Sequence, residues 1–201
     1  MIAAIILAAG RSSRMGYPKA MLPHIDPGRT ILDYLVRSAI AAGASPVLIV
    51  GRLLDTKLNS EATAAGGTFV PNADADAGQL SSVLAGLAQV SAIPDCEGVI
   101  VTPVDVPLIK PATIERLIAA QRTSPAVILR VTYQGRHGHP VLFKREVFDE
   151  LRHADRSVGA RSVVRVNPAR VLDIEVDDPG VVVDVDTPID YERVFGRATP
   201  S

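Results

Sequence analysis

The stretch Leu7-Ala8-Ala9-Gly10-Arg11-Ser12-Ser13-Arg14-Met15-Gly16-Tyr17-Pro18-Lys19 joins small residues, two glycines and three cations, with no acid before Asp26. Small side chains let backbone N–H groups approach a phosphate chain, and the cations oppose its charge. A loop of this kind leaving a buried strand suits a polyphosphate. It is not a Walker loop, because the Gly-Lys-Ser/Thr ending is missing. It is not a dinucleotide fingerprint either, because the second and third glycines fall in other places. On these residues alone, a solvated surface turn is the competing reading.

Carboxylates make the second candidate set. Asp105 follows the apolar run Gly98–Thr102 and precedes Pro107, so it is either a ligand for a hard cation or a turn cap. Asp184, Asp186 and Asp190 fall in Val183-Asp184-Val185-Asp186-Thr187-Pro188-Ile189-Asp190. If a strand over Val181–Val183 persists, alternation points Asp184 and Asp186 the same way, while Asp190 is placed to cap a helix. Magnesium takes about six oxygens and usually keeps waters, so one or two carboxylates plus substrate phosphates satisfy it. Asp74, Asp76, Asp177 and Asp178 are expected to be solvated loop charges.

Polar residues supply a third set. Asn72 follows a short apolar run, and Gly78-Gln79-Leu80-Ser81-Ser82 opens a helix. Free N–H groups and short side chains there can read a base edge or ribose, or Ser81 and Ser82 are plain caps. In Gln134–Pro140, Gly138 permits an unusual backbone angle and Pro140 restricts His139 to extended conformations. His139 either bonds an acceptor phosphate or holds the turn together. His24 and His153 have no supporting pattern and are expected at the surface. No Gly-x-Ser-x-Gly elbow accompanies the histidines, so a hydrolase triad is not indicated.

The elements that must position these groups alternate between strand and helix. Ile2–Leu7, Val47–Val50, Thr68–Val70, Gly98–Thr102 and Ala126–Tyr133 read as strands, with Val141–Phe143 turning back antiparallel. Helices are expected from Thr30 to Ala42, Asp55 to Ala65, Gln79 to Val90, Pro111 to Gln121, Arg145 to Leu151, Val158 to Val166, and from the Thr187 cap onward. Val171–Val176 and Val181–Val183 read as late strands. This order predicts an α/β fold with a mostly parallel sheet covered on both faces. Ligands then sit beyond the carboxyl ends of the strands.

The 201 residues suit a single domain over 1–201, and a net charge of -1 opposes a nucleic-acid-coating surface. Cys96 is the only cysteine, which excludes an internal disulfide or a cysteine zinc site and points to a reducing cytoplasm. Met1–Gly10 lacks a basic leader and is expected to be a core strand, not a secretory signal. No apolar run approaches the roughly 20 residues a membrane span needs.

Taken together, Leu-Ala-Ala-Gly, three residues, Arg-Met-Gly and then Lys resembles the signature of the MobA-like nucleotidyltransferases, which include the molybdenum cofactor guanylyl- and cytidylyltransferases. Asp105-x-Pro-Leu, Asp184-x-Asp186-Thr-Pro-x-Asp190, Gly78-x-x-Ser-Ser with a later Ala-Gly-Leu, and Gly138-His-Pro resemble further family segments, so the likeness runs from Ile2 to about Val194. Val104 departs mildly, standing where relatives often carry glycine or cysteine. The resemblance implies a three-layer, Rossmann-like fold of the GT-A type with a mixed, mostly parallel sheet. It implies that Leu7, Ala8, Ala9, Gly10 and Arg11 wrap a triphosphate. Arg14 and Lys19 then bind phosphate and stabilise the transferring group.

Asp105 and Asp186 become the magnesium ligands, with Asp184 as the alternative to Asp186. Asn72, Gln79, Ser81 and Ser82 lie beside the nucleoside and His139 near the acceptor. The run Asp177–Tyr191 favours the cytidylyl branch, hence CTP over GTP, with molybdopterin as acceptor and a molybdoenzyme or its chaperone as a transient partner. Two other readings stay open: a sugar phosphate or other small phosphorylated acceptor, and a nucleotide-binding regulatory module without chemistry. Both metal-ligand aspartates being present argues against the last.

Overall fold

β1 (Ile2–Leu7) is buried along its whole length, and its side chains divide between two cores. Ile2, Ala4 and Ile6 join one cluster, while Ala3, Ile5 and Leu7 join the other. A strand with both faces covered has no reason to alternate polar with apolar, which is why its sequence is a continuous apolar run. β1 lies inside a seven-stranded sheet that a computed structural model of residues 1–200 describes. The other strands are β2 (Val47–Arg52), β3 (Thr68–Asn72), β4 (Gly98–Pro103), β5 (Ile128–Tyr133), β6 (Arg136–Lys144) and β7 (Val171–Glu175).

The strand order is β3-β2-β1-β4-β6-β5-β7. All neighbours are parallel except at β6, which runs antiparallel to both β4 and β5. The chain leaves β1 toward β2 on one side and later returns to β4 on the other, so the switch in winding falls between β1 and β4. Leu7 pairs with Pro103 at the carboxyl ends of these two strands. A crevice opens at such a point because the two loops diverge to opposite sides. The loops carrying Lys19 and Asp105 are those two.

Helices cover both faces. α1 (Ile31–Ala41), α2 (Thr56–Ala64), α4 (Pro111–Thr123) and α7 (Pro188–Phe195) pack on the larger cluster through residues such as Leu35, Leu58, Leu117 and Tyr191. α3 (Gln79–Ser91), α5 (Phe148–Arg152) and α6 (Arg161–Val166) pack on the other through Leu87, Phe148 and Val163. α3 lies so close that a Cβ added at Gly86 would meet Ile5 at 2.7 Å. Thr30 and Asp55 cap their helices as expected for these side chains, and Thr187 with Asp190 closes a capping box at α7.

Three expectations are corrected. Val181–Val183 is not a strand: Pro179–Val182 forms a 3-10 turn, started by Asp178 accepting from the Gly180 N–H. The apolar run reflects burial, since Val181 sits in the core, and not β-pairing. The turn between β5 and β6 is only Gln134–Gly135, both at positive φ, so His139 and Pro140 belong to β6. Pairing slips between Arg130 and Thr132 opposite them, and proline tolerates an irregularity of this kind because no ladder N–H is required of it. The expected helix over Val158–Val166 begins only at Arg161, after a Gly159 at positive φ.

Asp178 and His24 are also corrected, from surface to interior. Asp178 is 2% exposed and accepts from the Lys110 N–H at 3.0 Å, the Thr113 hydroxyl at 2.6 Å and the Gly180 N–H at 3.1 Å. It thereby ties the start of α4 to the turn that leads into Asp184 and Asp186. His24 is buried, stacked on Tyr34, and bonded to the Pro107 carbonyl. Asp178→Ala leaves these buried donors unpaired, with an expected loss on the order of 3 kcal/mol. In urea unfolding the midpoint should fall while the slope holds.

Candidate functional site

The loop after β1 is shaped by its own backbone and one anchor. Met15 is buried in the core, and the Met15 and Gly16 N–H groups both bond the Ser12 carbonyl. Ser12 and Gly16 take positive φ, which lets the chain turn back sharply. Lys19 then opens a short 3-10 turn whose Ala20 is buried, followed by the buried Leu22. The root of Lys19 is therefore fixed, and its side chain is only 12% exposed.

Lys19 Nζ lies 2.5 Å from Asp186 Oδ1 and 3.6 Å from Asp105 Oδ2. Arg14 Nη2 lies 3.0 Å from Asp186 Oδ2. The structure thus brings together Arg14, Lys19, Asp105 and Asp186 from three separated parts of the chain. Two backbone bonds hold this convergence: the Val104 N–H to the Leu7 carbonyl at 3.0 Å, and the Val185 N–H to the Asp105 carbonyl at 2.8 Å. Burial pushes the Asp105 carboxyl above the usual carboxylate range, with Lys19 opposing that rise and Asp184 and Asp186 adding to it. The Lys19 hydrogen bond holds Asp186 below that range. Asp184 forms no ion pair with Lys19 among the described residues, although its charge acts on Asp105. It lines a second cavity, because the strand that would have aligned it with Asp186 is absent.

A cavity of about 460 Å³ opens beside the lysine bridge. Leu7, Ala8, Ala9, Gly10, Arg11 and Lys19 are among its lining residues, as are Gln79, Ser82 and Asp105. Arg14, Asn72 and Ser81 do not line it. The Asn72 amide donates to Ser81 Oγ at 2.9 Å and Ser82 Oγ at 3.0 Å, joining the end of β3 to the start of α3. Asn72 and Ser82 are both buried. Their polarity is spent on each other, as buried polar groups require.

Arg11 is bidentate to Asp76, at 3.0 and 2.7 Å, and Arg52 binds the same carboxylate at 2.5 Å. Asp76, expected to be a free loop charge, is the partner that the local sequence around Arg11 did not show. Arg52 was missed in the sequence reading. It also donates to the Ala9 carbonyl at 3.1 Å and lines the cavity. Its place at the carboxyl end of β2 was the available signal.

A second cavity, of about 640 Å³, lies between β6, α6 and the Pro179–Val182 turn. His139 and Asp184 line it, together with Arg136, Arg161 and Arg165, which the sequence reading did not single out. His139 Nδ1 is buried without a hydrogen-bond partner among the described residues. Burial lowers the His139 pKa below the usual imidazole range, with the nearby Asp105 charge opposing that shift. Gly138 is required here: a Cβ would stand 2.3 Å from the Val181 carbonyl oxygen.

Among the described residues, no group of three or more His, Cys, Asp or Glu is arranged to hold a metal. The pair Asp105 and Asp186 nevertheless reaches one common point, which the Lys19 ammonium marks. Two carboxylates around one point fit a hard cation that brings its other oxygens from phosphates and water. Lys19→Met removes the main opposition to the upward shift of Asp105. Its carboxyl should titrate at higher pH than in the unaltered protein, read by carbon NMR on metal-free samples. An unmoved titration would mean that the ammonium does not act on Asp105.

Comparison with known proteins follows the same outline. The molybdenum cofactor cytidylyltransferase of Escherichia coli K12 is 28% identical over 195 residues, 97% of this chain and 96% of that protein. The bifunctional protein GlmU of Anaeromyxobacter dehalogenans 2CP-C is 32% identical over 136 residues, so the chain spans only 27% of that relative's length. The crystal structure of Rv0371c from Mycobacterium tuberculosis H37Rv superimposes with a TM-score of 0.81 at 30% identity, covering 98% of this chain and 100% of that one. The same protein has a crystal structure in complex with manganese, which superimposes with a TM-score of 0.76 at 27% identity over 98% of this chain and 99% of that one. Residues 4–172 match the MobA-like NTP transferase domain. The chain belongs to the MobA-like NTP transferase domain family and is a nucleotidyltransferase.

Proposed function

We propose that this nucleotidyltransferase moves CMP from CTP onto the phosphate of a small acceptor of the molybdopterin kind, with Mg2+, and releases pyrophosphate. The observation that carries this reading is the convergence of Lys19 on Asp105 and Asp186 beside a cavity walled by Leu7–Arg11. Full-length likeness to a cytidylyltransferase supports CTP over GTP. A single buried cysteine fits a cytoplasmic setting, where a molybdoenzyme or its chaperone would receive the product.

The roles follow from position. Ala8–Gly10 and Arg11 line the cavity in which a triphosphate would lie, and Gln79 and Ser82, which also line it, would meet the nucleoside. An acceptor phosphate arrives already ionised, so its oxygen needs no strong general base to attack the α-phosphorus. Catalysis then rests on alignment and on charge stabilisation. Asp105 and Asp186 would hold Mg2+, which supplies charge neutralisation on the phosphate oxygens when bound. Lys19 and Arg14, relieved of their carboxylates by that cation, would meet the negative charge growing on the departing pyrophosphate. His139 would help shape the acceptor site, with Arg161 in the same cavity donating to the ionised phosphate.

Asp105→Ala should lower kcat by about 10³-fold, a loss of several kcal/mol in charge stabilisation, while urea unfolding stays near that of the parent. Pyrophosphate release is the readout, with CTP and GTP compared in Mg2+ and in EDTA. Undiminished turnover by Asp105→Ala removes the residue from the mechanism. Faster release with GTP moves the assignment to the guanylyl branch, and turnover only with sugar phosphates replaces the acceptor. Saturable CTP binding with no pyrophosphate formed from any acceptor leaves a regulatory module.

A further inference from the structure

The second cavity carries more positive charge than one acceptor phosphate requires. Its floor is apolar, including Val141, Val164 and Val181, and its rim is set with arginines. Arg130 on that rim is neutralised by Asp173, through bonds of 2.8 and 3.1 Å. Arg136, Arg161 and Arg165 form no ion pair among the described residues. Arg161 and Arg165 stand four residues apart on α6, so both leave the same helix face one turn apart. Like charges in that relation repel, and an anion lying between or beside them relieves the repulsion.

The two arginines, both exposed, differ in position along α6. Arg161 acts electrostatically on both His139 and Asp184, beside the transfer point. Arg165 acts on neither and lines the cavity one helical turn farther on, about 6 Å along α6. A phosphate held at His139 and Arg161 does not also fill the space before Arg165. The guanidinium fork is shaped for a planar or tetrahedral oxyanion and stays charged at any physiological pH.

We propose that the acceptor carries two anionic groups: the phosphate that attacks, and a second carboxylate or phosphate on a short apolar spacer that Arg165 binds. This rests on the transfer reading above and names the acceptor class more narrowly. It makes Arg165 a specificity-determining residue with no part in the chemical step.

The test uses the full chain with Mg2+ and the non-reacting analogue α,β-methylene-CTP, so that the donor site is filled. Calorimetric titration then compares 3-phosphoglycerate, which has two anionic groups, with glycerol 3-phosphate, which has one. The expected result is at least about tenfold tighter binding of 3-phosphoglycerate, equivalent to about 1.4 kcal/mol. Arg165→Gln should close that gap, and Arg165→Lys should restore part of it. Equal affinities in the parent protein, a gap that Arg165→Gln leaves intact, or binding of neither compound would overturn the proposal. The analogue titration separates the two readings. Saturation by the analogue without discrimination between the phosphates defeats the dianionic acceptor alone, whereas no nucleotide binding defeats the transfer reading itself.

Discussion

One ammonium group organises this molecule's chemistry. Lys19 stands between Asp105 and Asp186, which are far apart in sequence and reach it from different loops. Two carboxylates facing each other in a partly desolvated place repel strongly, and a cation between them turns that repulsion into attraction. The site needs a positive charge there in any state, whether lysine or metal. Lys19 favours the charged form of both carboxyls: burial outweighs it at Asp105, whereas its hydrogen bond prevails at Asp186.

The scaffold keeps those groups in place with buried backbone contacts and a single carboxylate. Asp178 ties α4 to the Pro179–Val182 turn. Two glycines let that turn thread through a narrow slot: a Cβ on Gly180 would be 2.4 Å from the Leu108 carbonyl oxygen, and one on Gly138 would be 2.3 Å from that of Val181. Leu108 follows the Asp105 loop and Gly138 precedes His139. The turn leading into Asp184 and Asp186 is thus wedged between the Asp105 loop and β6.

Much of this was readable from the chain. The uninterrupted apolar runs at Ile2–Leu7 and Gly98–Thr102 announced strands covered on both faces, and the rule about their carboxyl ends leads to the two loops in which Lys19 and Asp105 meet. The charges of Arg14 and Lys19 and the carboxylates of Asp105 and Asp186 were visible as residue types. What local sequence could not show were partners brought together by folding. Asp76 lies 65 residues from the arginine it pairs with, and Asp178 looked like any loop acid until α4 was packed against it. Val181–Val183 failed for another reason: β-branched residues signal burial on a packed surface, and a 3-10 turn against the core buries them as well as a strand does. The arginines of the second cavity escaped because a helix of six residues leaves too little periodicity to mark a face.

The reversed direction of β6 has a further consequence. Everything that lines the first cavity comes from residues up to Asp105, on the parallel half of the sheet, whereas the other cavity draws on β5, β6, α6 and β7 with the turn before Asp184. The antiparallel strand is the seam between these halves, sharing register with β4 on one side and β5 on the other. Side chains on the far bank of that seam can be exchanged without touching the glycine-bearing turn. The architecture gives the two cavities linings drawn from different parts of the chain, so the walls of the second can change while those of the first stay as they are.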